Sequence, residues 1–254
     1  MFAAHLNYAT DDIHNGVTLI SSSSDQPEYP DDNVANLPIS KPWRTVGNAS
    51  QWIEFDLGAT LGFDLIALVN HNLTAGATIT IKAGASAAPS TVIGTMTARQ
   101  FDAFKLFSSL QSYAFVRIEI SDPSNVNNFI SVGAVLLGAS TVLGFGFNFG
   151  WQPSDVQNNL TLTTEYNVLH SFELNYQKEL SLDFEELTTS QLEQLRQIYL
   201  AAKQDIFPFF WIPDAAVNDG YLFRFTEAFR PKRGMRASVS LSFREDSRGQ
   251  SIGA

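Results

Sequence analysis

QWIEFDLGATLGFDLIALVNHNL, residues 51–73, decides the fold. Ile53, Phe55 and Leu57 alternate with Glu54 and Asp56, and a period of two puts one set on a core and the other on the opposite face of a strand. Gly58 permits a turn, and Phe63 to Val69 is apolar almost without break, as in a strand deeper in a sheet. The stretch therefore predicts two strands joined by a short turn. Asp56 is placed to brace that turn by accepting backbone amides, and His71 and Asn72 close the second strand.

The same grammar extends outward. Ile79 and Ile81 share a face in TITIK before the small-residue loop AGASAAPS, and Val116, Ile118 and Ile120 alternate with Arg117 and Glu119. The turn SDPSN leads into a strand over Phe129–Leu137. Short strands separated by Gly, Pro, Asn and Ser clusters indicate a sandwich or barrel. At GASTVLGFGFNFGWQPSD, Gly138, Gly144, Gly146 and Gly150 break the pattern, which predicts modules of residues 1–140 and 141–254. In the second module, Phe172, Leu174 and Tyr176, then Leu180, Leu182 and Phe184, predict a hairpin broken at Gln177-Lys178. One helix is expected at about 189–203, with Thr188 and Gln191 at capping-box spacing and Leu192, Leu195, Ile198, Tyr199 and Ala202 on one face. FPFFWIP, bracketed by Pro208 and Pro213, predicts an edge strand. Strands carrying Tyr221, Phe223 and Phe225, then Val239, Leu241 and Phe243, follow, before a mobile polar tail, EDSRGQSIGA. The fold class is mainly all-β, with a single flanking helix in the second module.

Bulk properties exclude several functions. A net charge of −10 argues against a general nucleic-acid binder and against docking on an anionic membrane. The absence of cysteine removes disulfides, thiolate metal sites and cysteine nucleophiles, and fits synthesis in a reducing cytosol. The N-terminus has no basic, then apolar, signal-peptide pattern, and no run of about 18 apolar residues is present to span a bilayer.

Candidate chemistry is sparse. His5, His14, His71 and His170 form no metal-ligand spacing, and no HExxH, GxSxG or phosphate-cradling glycine loop occurs, so neither an enzyme nor a cofactor is expected. Asp31-Asp32-Asn33 suits either calcium ligation or a cap after Pro30, and the cap is the simpler reading. Glu185-Glu186 precede the helix and suit its positive end. Trp43 and Arg44 could stack on a sugar and bind its hydroxyls, with His71 and Asn72 orienting a further hydroxyl. The alternative is that Trp43 plugs the sandwich, Arg44 ties down a loop, and His71-Asn72 cap their own turn. Phe207, Phe209, Phe210 and Trp211 are either core or a subunit interface.

NASQWIEFDLG, then AFVRIEIS, then FISVGAVLLG resembles the galactose-binding-like, discoidin-type jelly roll. Asn48, Trp52, Asp56, Leu57, Gly58, Arg117 and Gly138 match that frame over roughly residues 15–138. The resemblance implies that the Trp-containing and Val-Arg-Ile strands lie in facing sheets, and that loops at one end bind glycans or proteins. YPDDNVANLPISKPWRT followed by LVNHNLT is similar to structural proteins of bacteriophage tails, and the order of elements after residue 141 is similar to the tail-tube domains of distal and minor tail proteins. That resemblance implies a non-enzymatic tail-tip or baseplate component of the virion, made in the host cytoplasm. Its subunits would close into a ring, commonly a hexamer, against neighbouring tail-tube and tip proteins. The rival reading is a carbohydrate-binding protein for a host cell-surface glycan.

Overall fold

The structure is a computed structural model that describes residues 19–35, 39–99, 102–143, 154–163, 169–203, 208–214, 219–232 and 237–245. His5, His14 and Phe207 lie outside the described residues, as does the tail beyond Glu245. The fold is mainly β, with two compact units: residues 1–142 with 210–221, and residues 143–209 with 222–254. The segment 210–221 thus groups with the first unit and not with the rest of 141–254.

The first unit is a jelly-roll sandwich built on two very long strands. Strands β1 (Leu19–Ser22), β2 (Trp43–Arg44), β3 (Gln51–His71), β4 (Thr78–Gly84), β5 (Thr91–Met96), β6 (Asp102–Ser121) and β7 (Ser131–Gly138) form one antiparallel ladder in the order β2-β7-β3-β6-β4-β5, with β1 also on β3. Residues 51–71 are therefore one strand and not two. Gly58, at φ 71°, makes a bulge in place of a hairpin turn. The reason is the partner: β6 runs alongside throughout, from Gln51↔Ile120 to Val69↔Asp102. After Asp56↔Phe115 the next rung is Leu61↔Tyr113, and after Phe63↔Gln111 it is Leu65↔Leu106, so each strand bulges once against the other. Asp56 Oδ1 accepts the Gly58 amide at 2.8 Å, bracing the bulge as its position suggested.

At these bulges the ladder changes partners. The first half of β3 lies between β1 and β6, and its second half lies between β6 and β7. Ile53, Phe55 and Leu57 from the first half share one core with Phe63, Ile66 and Leu68 from the second, and with Ile79, Ile81, Val116, Ile118, Ile120 and Val132. A strand long enough to bend through both layers closes the sandwich on itself. The expectation that the Trp52 and Arg117 strands face each other across the core is corrected: they are hydrogen-bonded neighbours, Ile53↔Ile118 and Phe55↔Val116. Leu65, Ala67 and Val69 are buried too, on the other face of β3. On the adjoining rung Phe104 is edge-on to Phe210, centroids 5.4 Å apart, so the 210–221 segment helps to cover that face.

The second sheet contains β8 (Ser154–Thr163), β9 (Leu169–Leu187), β10 (Phe209–Asp214), β11 (Asp219–Phe225) and β12 (Ala237–Glu245), in the order β10-β11-β12-β9-β8. The aromatic strand is at the edge, as its prolines require. Residues 172–184 do not form a hairpin. β9 continues through Gln177-Lys178 because β8 pairs with it up to Glu179, where β12 takes over. Lys178 stays on the polar side through a 2.9 Å ion pair with Asp155. Helix α1 (Thr189–Ala201) starts in the expected capping box and ends at Ala202, one turn of its buried face carrying Leu195, Ile198 and Tyr199. In the core of this unit, Tyr199, Phe209 and Phe243 each lie 5.0–5.3 Å from Phe225 or from one another. Glu245, expected in the tail, is buried and accepts the Lys178 amide.

Candidate functional site

One end of the jelly roll holds the residues proposed for sugar binding, and it uses them internally. Trp43 is fully buried, and its indole N–H donates to the Ser24 carbonyl at 3.1 Å. An indole with no exposed face cannot stack on a sugar, so Trp43 belongs to the core. The Arg44 guanidinium sits 3.9 Å over the Tyr29 ring and 5.2 Å from that of Phe129, tying a loop. His71 Nδ1 accepts the Leu73 amide at 3.2 Å, capping its own turn. The Asn72 carboxamide is a clip: Nδ2 donates to Phe129 O and Oδ1 accepts from Ser131 N, which fixes where β7 begins. The four residues do gather at one end, but as structural pins.

Beneath them lies a polar knot. Asp122, fully buried, accepts from the Thr74 amide at 2.8 Å, the Thr74 hydroxyl at 2.6 Å, Ser124 Oγ at 3.2 Å and Asn125 Nδ2 at 3.3 Å. Burial pushes its carboxyl up, but bonds from the Thr74 hydroxyl and amide, Ser124 and Asn125 outweigh that and hold it below the usual carboxylate value. Asn125 also donates to Asn72 O and accepts from Asn127 N. Asp31-Asp32-Asn33 form the start of a short 3-10 helix with Asn33 N–H on Pro30 O, the capping alternative. No cluster of three His, Cys, Asp or Glu suited to a metal occurs among the described residues. Of the aromatic candidates, Phe209 is 4% exposed, Phe210 0% and Trp211 0%, so they are interior side chains and offer no subunit interface.

The strongest candidate site is on the solvent face of β3, β6 and β4. Because Ile53 and Phe55 point inward, the even-numbered Trp52 and Glu54 point outward. Across the ladder Trp52 pairs with Glu119 and Glu119 with Thr80, while Glu54 pairs with Arg117 and Arg117 with Lys82. Two parallel rows result. In the second row Arg117 Nε donates to Glu54 at 2.6 Å, both side chains largely buried, and Ala88 N–H donates to the same carboxylate at 3.1 Å. The Arg117 guanidinium also lies 4.0 Å from the Trp52 ring, supporting the indole from one side. Lys82 reaches across to Glu119 at 2.7 Å. In front of the first row is a cavity of about 310 Å³, lined by Ser50, Gln51, Trp52, Thr78, Thr80 and Glu119.

The sequence places Trp43 among the sugar-binding candidates and Trp52 only in the jelly-roll frame. The alternation was the available signal, since Trp52 falls on the outward set opposite Ile53 and Phe55.

No family model matches the chain, and no curated protein matches it. Solved structures similar in fold to about half of it include the family 32 carbohydrate-binding module of Clostridium perfringens NanJ in complex with galactose, at 17% identity and TM-score 0.41, covering 47% of this chain and 91% of that one. A chitosan-binding module of a Paenibacillus sp. IK-5 chitosanase/glucanase is 16% identical with TM-score 0.40, covering 50% and 98%. A family 32 module of AlyQ in complex with 4,5-unsaturated mannuronic acid is 19% identical with TM-score 0.39, covering 48% and 94%. Likeness at this level carries nothing about what this chain binds.

Proposed function

We propose that the chain is a non-catalytic binding protein whose first unit recognises a glycan in the groove around Trp52. One observation carries this reading: a half-buried indole, backed by a guanidinium, shares a rung with a carboxylate and a hydroxyl along a cavity of about 310 Å³. The apolar C–H face of a pyranose packs on an indole, and its hydroxyls need donors and acceptors in fixed positions beside it. Thr78 and Thr80 supply hydroxyls, and Glu119, already neutralised by Lys82, supplies an acceptor without a bare charge. The volume is near the lower end of small-molecule sites, about 300–1,000 Å³, which suits one sugar unit and not a long chain. The test is a glycan array probed with the full chain, followed by titration of any hit against Trp52→Ala and Thr80→Ala. Binding lost in Trp52→Ala and weakened in Thr80→Ala is the expected result. Silence on the array, or a hit indifferent to both changes, overturns the assignment.

A second reading is favoured by the order of elements in the second sheet: strands, helix α1, the aromatic edge strand β10, then β11 and β12. It makes the chain a structural component of a phage tail tip in the virion, with the jelly roll as its glycan-recognising or protein-recognising appendage. The buried Phe209, Phe210 and Trp211 supply no interface for it, so assembly into a ring would use the outermost strands of that sheet, β8 and β10. Measurement of solution mass and negative-stain imaging, with and without tail-tube protein, test it. Rings support it, and a monomer under both conditions refutes it.

A further inference from the structure

The chain is strongly acidic, and several cations among its described residues already have an anion. Lys82, Arg117, Lys178, Arg196 and Arg244 each hold a carboxylate. Arg230 and Lys232 differ. Both are exposed, neither is ion-paired among the described residues, and both line a cavity of about 670 Å³ in the second unit. The other walls are Thr226, Glu227, Ala228, Ser238, Val239 and Ser240.

This arrangement is held by backbone. Lys232 and Ser238 exchange two hydrogen bonds, Lys232 N–H to Ser238 O at 2.8 Å and Ser238 N–H to Lys232 O at 3.1 Å, so the cation and the hydroxyl residue share one rung. The β9–β12 register shifts between Ala237 and Val239, where β9 carries one extra residue opposite Ser238, at Glu185-Glu186, with Glu186 at φ 55°. Thr226 is anchored by its own amide on Ser242 O at 3.0 Å, farther along β12. Pro231 limits the backbone between the two cations.

We infer that this cavity binds a phosphorylated sugar or polyol. A guanidinium presents a donor fork that matches an oxyanion, and an ammonium adds a compact charge beside it. Three hydroxyls, of Thr226, Ser238 and Ser240, can each donate to remaining phosphate oxygens. A phosphomonoester carries roughly −1.5 to −2 charges at neutral pH, which Arg230 and Lys232 together balance. Glu227 opposes a bare phosphate but accepts from a hydroxyl, and the volume greatly exceeds that of one phosphate group. The combination selects an anion attached to a hydroxylated body. Wholesale nucleic-acid binding does not follow, since two cations on a chain of net charge −10 leave any longer polyanion repelled.

The test is calorimetric titration of the full chain with glucose 6-phosphate, with glucose and acetate as controls. Saturable binding of glucose 6-phosphate, at least tenfold tighter than either control and weakening with added salt, is expected. The double variant Arg230→Gln/Lys232→Gln, checked for an unchanged melting temperature, should weaken binding tenfold or more. Glu227→Gln should leave it intact or tighten it, and Trp52→Ala should have no effect because that residue is in the other unit. Absence of binding, equal binding of acetate or glucose, or insensitivity to the double variant each overturns the proposal.

Discussion

Glu54→Ala tests how the sugar groove is supported. In the folded chain the Glu54 carboxylate receives Arg117 Nε at 2.6 Å and the Ala88 amide at 3.1 Å, and Arg117 in turn lies under Trp52. The side chains are 7% and 17% exposed, so solvent screens the pair only in part. With charge centres about 4 Å apart and an effective dielectric near 20, the attraction is about 4 kcal/mol, much of it offset by desolvation of both groups. Deleting the acid removes that attraction while the guanidinium stays buried, and such unpaired charges cost about 3–5 kcal/mol. For a unit of this size that corresponds to a fall in melting temperature of roughly 6–20 °C. The double variant Glu54→Leu/Arg117→Leu buries neither charge and should melt well above Glu54→Ala. Differential scanning calorimetry resolves the first unit's transition. If Glu54→Ala melts within about 1 °C of the parent, or the double variant is the less stable of the two, the pair does not do what its geometry implies.

Three further outcomes follow from named contacts. Asp122 is held below its ordinary value in the fold, so the stability it contributes is complete above the unfolded carboxylate range near pH 4 and disappears as pH falls through its lower folded value. Asp122→Asn should therefore reduce the acid-side dependence of urea midpoints while lowering stability at neutral pH by about 1–2 kcal/mol, and identical pH slopes would contradict this. Gly133→Ala would put a Cβ 2.5 Å from Ile39 O and 2.9 Å from Asn70 Cβ, a clash with a backbone carbonyl and with the Asn70 side chain. A loss of about 1–3 kcal/mol by denaturant melts is expected, and a neutral result would show that the β7 edge relaxes. Thr188→Ala removes the oxygen that accepts the Gln191 amide at 3.3 Å and should lower the second unit's stability by about 1 kcal/mol, while Thr188→Ser restores it.

The sequence by itself determined what local rules can reach. Alternation at Ile53, Phe55 and Leu57 identified a sandwich face, Thr188 and Gln191 marked the start of α1, and Asp56 was placed to hold the Gly58 amide, although at a bulge and not at the expected turn. The all-β sandwich class was readable for the same reason, since burial on a pleated surface imposes a period of two whatever the partner strand, and the jelly roll followed from the resemblance of NASQWIEFDLG and AFVRIEIS. Strand continuity was not readable. Gly58 and Gln177-Lys178 carry the same residue types as real turns, and only the partners running past them, β6 in one case and β8 with β12 in the other, keep β3 and β9 whole. Site identity was likewise tertiary. Trp43 and Trp52 are both tryptophans at the head of a strand, yet one fills the core and the other lines a groove, because side-chain exposure depends on which layers close over each face. The rows that join Trp52 to Glu119 and Thr80, and Lys232 to Ser238, link residues that are not neighbours in the chain, and pairing register alone brings them together.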